Sequence, residues 1–195
     1  MKIKAAVLRK TGAEISLEEL ELESPRESEV LVELKASGIC HSDYHVVTGD
    51  AVHELPVVLG HEGAGIIKEI GEGVSALKQG DHVALSWIPF CGSCYLCMYG
   101  KTNLCKTYTG PLWEGTMFDG TTRLRDSSGG SVRHLSSLAC WATHAVVPEK
   151  SCVLIPREIP MDVASIIGCA VTTGVGAALN KARVLPGSSV VGYGA

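Results

Sequence analysis

The stretch Gly60-His61-Glu62-Gly63-Ala64-Gly65-Ile66-Ile67-Lys68-Glu69-Ile70-Gly71 places an apolar, β-branched segment between two glycine-rich turns. Ala64 to Ile70 is typical of a strand, and Gly71 marks the turn that ends it. Three other segments have the same form: Glu29 to Ala36, Asp81 to Ser86 and Thr143 to Pro148. Many short strands between glycine turns predict a mainly β fold with some α-helix, built as a partly open β-barrel. Residues 110–131, rich in glycine and serine, are expected to form a long surface loop.

The composition excludes several classes of protein. Of the 195 residues, 46% are hydrophobic and 19% are charged, which predicts a packed core rather than disorder. The net charge of −4 has the wrong sign for binding through counterion release, so we expect no nucleic-acid partner. The chain has neither a run of about 18 apolar residues nor a secretion signal at its start, so we expect a cytoplasmic protein without a membrane partner.

Eight cysteines in a reducing compartment favour metal binding or catalysis over disulfides. Half of them follow the spacing Cys-x2-Cys-x2-Cys-x7-Cys, at Cys91, Cys94, Cys97 and Cys105. Two intervening residues let neighbouring thiolates bind one ion, and the longer gap lets a return loop supply the fourth ligand. Four thiolates leave no open position, so the spacing predicts a structural zinc in a lobe over about residues 88–110. Four free thiols and an iron–sulfur cluster are the alternatives.

Residues 161–195 differ in character from residues 1–160. Met161 to Lys181 is apolar and long enough for a helix, although the glycines at 168, 174 and 176 would bend or break it. A short apolar strand then runs into Gly192-Tyr193-Gly194, which is how a dinucleotide-binding βαβ unit opens, and equally how an ordinary tight turn reads. We expect one domain over 1–160, and over 161–195 connecting helices with the first strand of a nucleotide-binding domain.

Two further metal-ligand candidates lie far from the cysteine cluster. Cys40 stands in Gly38-Ile39-Cys40-His41-Ser42-Asp43, and His61 stands before the strand quoted first. Spacing alone does not join them. A lone cysteine after a strand is more often a small core residue, and a lone histidine is more often a structural hydrogen-bonding group.

Several motifs together resemble the zinc-dependent alcohol dehydrogenases of the medium-chain dehydrogenase/reductase superfamily. The pattern Gly60-His61-Glu62-x2-Gly65-x5-Gly71-x2-Val74, followed by Gly80-Asp81-His82-Val83, is similar to the signature of that family. The Cys40 segment, the four-cysteine lobe and Gly168-Cys169 before Thr172-Thr173-Gly174 match in order and spacing, and residues 115–123 resemble the longer-looped, liver-type classes. The resemblance implies a GroES-like catalytic domain that forms the N-terminal part of a longer protein and ends within the first strand of an incomplete Rossmann domain.

The resemblance also implies a second, catalytic zinc, held by Cys40, His61 and Cys169, with one position open for an alcohol. Asp43 would accept a hydrogen bond from the second ring nitrogen of His61 and so fix its tautomer. Glu62 would be the nearby carboxylate that approaches zinc during ligand exchange.

The remaining implied roles concern the proton, the cofactor and the substrate. Ser42 would accept the alcohol proton and His45 would carry it to solvent. Trp87 would form a wall of the substrate pocket. The implied contacts to NAD or NADP are His41, Thr173, Gly192 and Gly194.

Two classes of function are open on the sequence alone. The first is oxidation of a small-molecule alcohol to an aldehyde or ketone in the full-length protein, with two zincs per chain and hydride transfer to a nicotinamide cofactor. These 195 residues by themselves are expected to be inactive, since they lack the helix that would hold the cofactor pyrophosphate. The alternative is a non-catalytic, zinc-stapled GroES-like binding or assembly module. Without a cofactor domain to cover it, the apolar face between Val163 and Leu179 is expected to be exposed and to drive self-association into a homo-oligomer.

Overall fold

The computed structural model describes residues 1–193, which form two β-sheets with short helices around one end of the second sheet. In chain order, the strands and helices of the described residues are β1 (Lys2–Leu8), β2 (Ser16–Leu22), β3 (Glu29–Ser37), α1 (His41–Thr48), β4 (Val57–Val58), β5 (Gly63–Ile70), β6 (His82–Leu85), α2 (Tyr95–Met98), α3 (Lys106–Glu114), β7 (Leu124–Arg125), β8 (Ser131–His134), β9 (His144–Pro148), β10 (Cys152–Leu154), α4 (Met161–Ser165) and α5 (Thr172–Val175). The mainly β fold is therefore confirmed, and each of the four strands predicted above is present.

The first sheet is a barrel of five strands in the order β1-β2-β7-β8-β4. We predicted a partly open barrel, whereas this ring is closed. The two-residue strand β4 closes it, because Val57 and Val58 pair with β1 on one side and in parallel with β8 on the other. Alternate residues of β1, among them Ile3, Ala5 and Val7, fill the interior.

The second sheet, in the order β10-β6-β5-β3-β9, is antiparallel throughout and determines where the chemistry lies. Because β6, β5 and β3 are antiparallel neighbours, the end of β3, the start of β5 and the end of β6 meet at the same edge of the sheet. The residues just outside those ends are Cys40, His61 and Trp87, respectively. Three segments far apart in sequence therefore converge at one point.

The apolar segment Met161–Lys181 is helical, as predicted, and is interrupted where glycine occurs. After α4 the chain makes a π-helical turn over Ile167–Val171, and a second over Gly176–Lys181 follows α5. A Cβ atom on Gly168 would lie only 1.9 Å from the carbonyl oxygen of Leu85, so only glycine permits this close approach to the end of β6. That approach carries Cys169 to the edge where Cys40 and His61 lie.

In two segments the described residues differ in part from the prediction. The strand expected ahead of Gly192 is absent from the described residues, since 188–193 form neither helix nor strand. A parallel strand needs a hydrogen-bonded neighbour, and no described strand adjoins this segment. Gly194 lies outside the described residues.

The long surface loop expected over residues 110–131 is present only in part. Its first part belongs to α3, and Met117, Arg123 and Leu124 are buried. Arg123 donates two hydrogen bonds to Glu29 at the start of β3, at 2.9 and 2.6 Å, and these draw the segment against the second sheet. Residues 113–114, 119–121 and 127–131 are exposed, as expected. Among residues 1–193, no helix is long and apolar enough to cross a membrane.

Candidate metal centres and the adjoining cleft

The four clustered cysteines already have the geometry of a tetrahedral thiolate site. The donor sulfurs of Cys91, Cys94, Cys97 and Cys105 all lie within 4.8 Å of one another. Measured Sγ–Sγ separations are 3.9 Å for Cys91–Cys97, 3.5 Å for Cys94–Cys97 and 3.9 Å for Cys94–Cys105. Zinc–sulfur bonds of about 2.3 Å in a tetrahedron require sulfurs about 3.8 Å apart. These residues therefore fit a closed metal site.

Hydrogen bonds within the lobe support charge on its sulfurs. The Cys91 sulfur accepts from the Thr107 hydroxyl at 3.3 Å and from the backbone N–H groups of Ser93 and Cys94 at 3.4 and 3.2 Å. These contacts, the Thr107 hydroxyl first, lower the pKa of Cys91 to about 5. Burial instead raises the pKa of Cys97 to about 12. A bound dication would hold every coordinating sulfur as thiolate.

The second donor group lies at the sheet edge described above. One ligand atom from each of Cys40, His61, Glu62 and Cys169 lies within 4.8 Å of the others. Two sulfurs, one imidazole nitrogen and one carboxylate oxygen are a donor set that zinc accepts. The three ligands expected on the sequence are thus brought together, and Glu62 joins them as a fourth donor.

Asp43 is a fully buried carboxylate that holds this group together. Its Oδ1 accepts from the Gly60 N–H at 3.0 Å and lies 3.1 Å from Nδ1 of His61. Its Oδ2 accepts from the Cys40 N–H at 3.0 Å. With the ring proton on Nδ1, the other nitrogen of His61 keeps its lone pair free for a metal. Burial would lower the pKa of His61, but the hydrogen bond and charge of Asp43 outweigh burial and raise it.

Glu62 is buried beside the same cluster. Gly38 makes room for it, because a Cβ at Gly38 would lie 2.1 Å from Oε2 of Glu62. Burial raises the pKa of Cys169 to about 12, and the charges of Cys40 and Glu62 add to this effect. At Cys40, burial is outweighed by hydrogen bonds from Ser42 and by the charge of His61, so its pKa is lowered. The cluster therefore concentrates negative charge that a cation would neutralise.

A cleft of about 200 Å³ opens directly beside this donor group. His61 and Cys169 form one end of it, and the ring of Trp87 meets the His61 ring edge-on with centroids 6.2 Å apart. The other lining residues are Ser42, His45, Val46, Ala51, Val52, His53, Trp113, Leu135 and Ser136.

The family follows from one comparison. The family model described as the alcohol dehydrogenase GroES-like domain matches residues 26–157. The chain belongs to this family. The recognition made from the sequence motifs is therefore confirmed.

Individual relatives of this alcohol dehydrogenase family member agree. The chain is 40% identical over 196 residues to an S-(hydroxymethyl)glutathione dehydrogenase of Komagataella pastoris. The aligned region covers 100% of this chain and 52% of that relative. Two solved structures are each 36% identical to the chain, and in each case the aligned region covers 97% of this chain and 51% of the solved one. They are an alcohol dehydrogenase zinc-binding domain protein from Burkholderia ambifaria, with a TM-score of 0.89, and benzyl alcohol dehydrogenase from Acinetobacter calcoaceticus, with a TM-score of 0.86. The chain spans about half the length of the relatives it matches.

The residues expected to move the proton lie on α1 of this alcohol dehydrogenase domain. Ser42 and His45 are three positions apart on the helix, and both line the cleft. The Ser42 hydroxyl lies 3.6 Å from the Cys40 sulfur. His45 is 46% exposed, and its Nδ1 lies 3.4 Å from Asp50. The pair thus spans from the donor group to solvent.

None of the described candidate cofactor contacts belongs to the donor group. His41 is exposed at the start of α1, with its ring 4.7 Å from that of His45. Thr173 is exposed on α5, and Gly192 lies in the irregular segment 188–193. The described residues bring none of them against the others.

Sequence reasoning missed part of the cleft wall. Trp113, Leu135 and Ser136 line it, although they are far in sequence from every recognised motif. Ser136 has φ 56°, a left-handed conformation that is unusual for serine. Nothing in the local sequence indicates these placements, because they depend on the packing of α3 against the turn after β8 and of that turn against α1.

Proposed function

We propose that the whole protein is a zinc-dependent alcohol dehydrogenase that oxidises a small-molecule alcohol to an aldehyde or ketone, with NAD or NADP as hydride acceptor. The observation that carries the proposal is the convergence of Cys40, His61 and Cys169, one ligand atom of each lying within 4.8 Å of the others at the end of a cleft. Its relatives are alcohol dehydrogenases. The proposal includes two zincs per chain, one catalytic and one held by the four clustered cysteines.

Zinc bound here would act as a Lewis acid that lowers the pKa of an alcohol hydroxyl. Three features of the chain would position the metal ligands. Asp43 keeps the proton on Nδ1 of His61 and orients the ring. Cys40 is fixed through its own backbone N–H, which donates to Asp43. Glu62 would supply a fourth donor, a carboxylate, that an alcohol could replace.

The proton released from the alcohol leaves along α1. The Ser42 hydroxyl, next to the Cys40 sulfur, accepts it while it passes its own proton on. His45, exposed one helical turn away, delivers that proton to water. Trp87 and the apolar side chains of the cleft exclude water from the reacting end.

His41, Thr173, Gly192 and Gly194 are proposed to contact the cofactor in the whole protein. We expect the 195-residue chain alone to give no steady NADH or NADPH signal with ethanol or benzyl alcohol. A sustained signal from the purified chain would contradict this expectation.

Metal analysis tests the zinc sites directly. We expect two zincs per chain, one lost in Cys40→Ser and retained in the matched variant Cys152→Ser, whose cysteine belongs to neither donor group. In the cobalt-substituted chain, imidazole should change the visible spectrum of the site at Cys40 and leave the tetrathiolate bands unchanged. The alternative function, a non-catalytic zinc-stapled module, predicts no metal at Cys40 and no response to imidazole.

Homo-oligomer formation and a cytoplasmic location remain part of the proposal. Val163, Val171, Val175 and Leu179 expose 41–60% of their surface on the helical segment, which supports self-association. Sedimentation as a monomer at high concentration would contradict it.

A further inference from the structure

We propose that the cleft selects an uncharged, planar aromatic alcohol, and that Trp113 is the specificity-determining residue. The inference rests on the proposed function, since the hydroxyl of such a ligand must reach the end formed by His61 and Cys169. Volume, wall chemistry and charge each support it.

The size of the cleft fits one aromatic ring. Its volume is about 200 Å³. An apolar cavity of about 150 Å³ is known to accept benzene, so this cleft accommodates a ring with a short hydroxymethyl substituent. A second ring or a long branched chain would extend into solvent.

Two indoles are available to contact that ring. Trp87 is half-buried, packs against the core of the second sheet and meets the His61 ring edge-on. Trp113 lines the same cleft and is 66% exposed, so a ligand that covers it removes apolar surface from water. Aromatic side chains favour stacked or edge-on contacts with other rings, which a saturated ring cannot reproduce.

Trp113 is held in place by its helix. Leu112, the residue before it, is buried and anchors α3. Nearer the start of α3, the Tyr108 ring stacks on Phe118, with centroids 3.9 Å apart and planes 18° apart. A wall fixed in this way loses little conformational freedom when a ligand binds, which favours selectivity.

The charge of the lining excludes ionised substrates. Within the part of the chain that the structure describes, no Lys, Arg, Asp or Glu side chain lines the cleft. A carboxylate on the ring would lose its hydration there without meeting a lysine or arginine to offset that cost. The cleft therefore favours benzyl-type alcohols over carboxylated ones of similar size.

Ligand binding to the cobalt-loaded chain tests the inference without turnover. The main probe is benzyl alcohol. Cyclohexylmethanol is its non-planar analogue and 4-carboxybenzyl alcohol its charged analogue. Imidazole binds at the open coordination position of the metal and reports on that position alone. We expect benzyl alcohol to bind about fivefold more tightly than cyclohexylmethanol and about tenfold more tightly than the carboxylate. In Trp113→Leu the preference over cyclohexylmethanol should fall to about twofold or less, with imidazole affinity unchanged.

Tyr99→Leu is the matched control, since Tyr99 is 71% exposed on the cysteine lobe and does not line the cleft. It should keep the full preference. Equal binding of benzyl alcohol and cyclohexylmethanol, or a preference that survives in Trp113→Leu, overturns the inference. If imidazole still changes the cobalt spectrum in that case, the proposed function stands. If neither imidazole nor any alcohol changes the cobalt spectrum, the inference and the proposed function both fail.

Discussion

Replacing Asp43 by asparagine should weaken metal binding at one site and leave the other intact. The carboxylate accepts hydrogen bonds from the Cys40 N–H at 3.0 Å and the Gly60 N–H at 3.0 Å, and it lies 3.1 Å from Nδ1 of His61. In Asp43→Asn, the amide oxygen can serve the Gly60 and His61 side, but the amide NH2 then faces the Cys40 N–H.

One buried donor is thereby left unpaired and the charge that orients His61 is lost. A charge-assisted hydrogen bond contributes about 1.5–3 kcal/mol, so we expect a loss of about 2 kcal/mol in the free energy of unfolding. Loss of the group that orients a ligand typically lowers metal affinity about 10–100-fold, and we expect that range here.

Chelator competition on the cobalt-loaded chain measures this effect, with the tetrathiolate site as an internal reference. Asp50→Asn is the matched control, because the Asp50 side chain is 68% exposed and belongs to neither donor group. Wild-type cobalt affinity in Asp43→Asn, or equal weakening of both sites, would refute the reasoning.

Three other substitutions test the framework around the site. Glu29→Gln should lower the free energy of unfolding by about 3 kcal/mol because it breaks the buried pair with Arg123. Glu33→Gln, whose lysine partners are exposed, should lower it far less in the same denaturant titrations. Burial, aided by the charge of Arg123, lowers the pKa of His134 to about 3, so the folded state keeps this ring neutral while the unfolded chain protonates it below about pH 6.5. Stability should therefore fall as the pH drops below 6.5, and between pH 7 and 5.5 the wild type should lose about 1 kcal/mol more than His134→Gln; parallel profiles would contradict this. Ser28→Gly should raise the free energy of unfolding by about 0.5–1 kcal/mol, because Ser28 is exposed with φ 59°, and a lower melting temperature would count against it.

Local patterns were sufficient to predict the strands and the cysteine lobe. The alternation of β5 and the short Cys-x2-Cys spacings act within a few residues, so the sequence carries them directly. Joining Cys40, His61 and Cys169 was different, because it depends on the antiparallel order of β3, β5 and β6. That order is a long-range property, and only the family resemblance indicated it in advance.

The placements that were not predicted also depend on long-range contacts. The segment 110–131 is rich in glycine and serine, yet Arg123 within it is buried because Glu29, far away in sequence, neutralises it. Trp113 lines the cleft because α3 packs against the turn after β8, at Leu135–Ser137. Neither contact leaves a local signal, since both are set by partners that the fold brings together.

The proposal depends on three residues, far apart in sequence, that bind one zinc and leave one coordination position for an alcohol. An anomalous difference map at the zinc edge, from crystals of the zinc-loaded chain with benzyl alcohol, tests it most directly. We expect two peaks per chain. One should be surrounded by four sulfurs at about 2.3 Å, and the other should be bound to Cys40, His61 and Cys169 with Glu62 displaced. A single peak at the four-cysteine lobe, or a second peak still bound by Glu62 with no room for the alcohol, would contradict it.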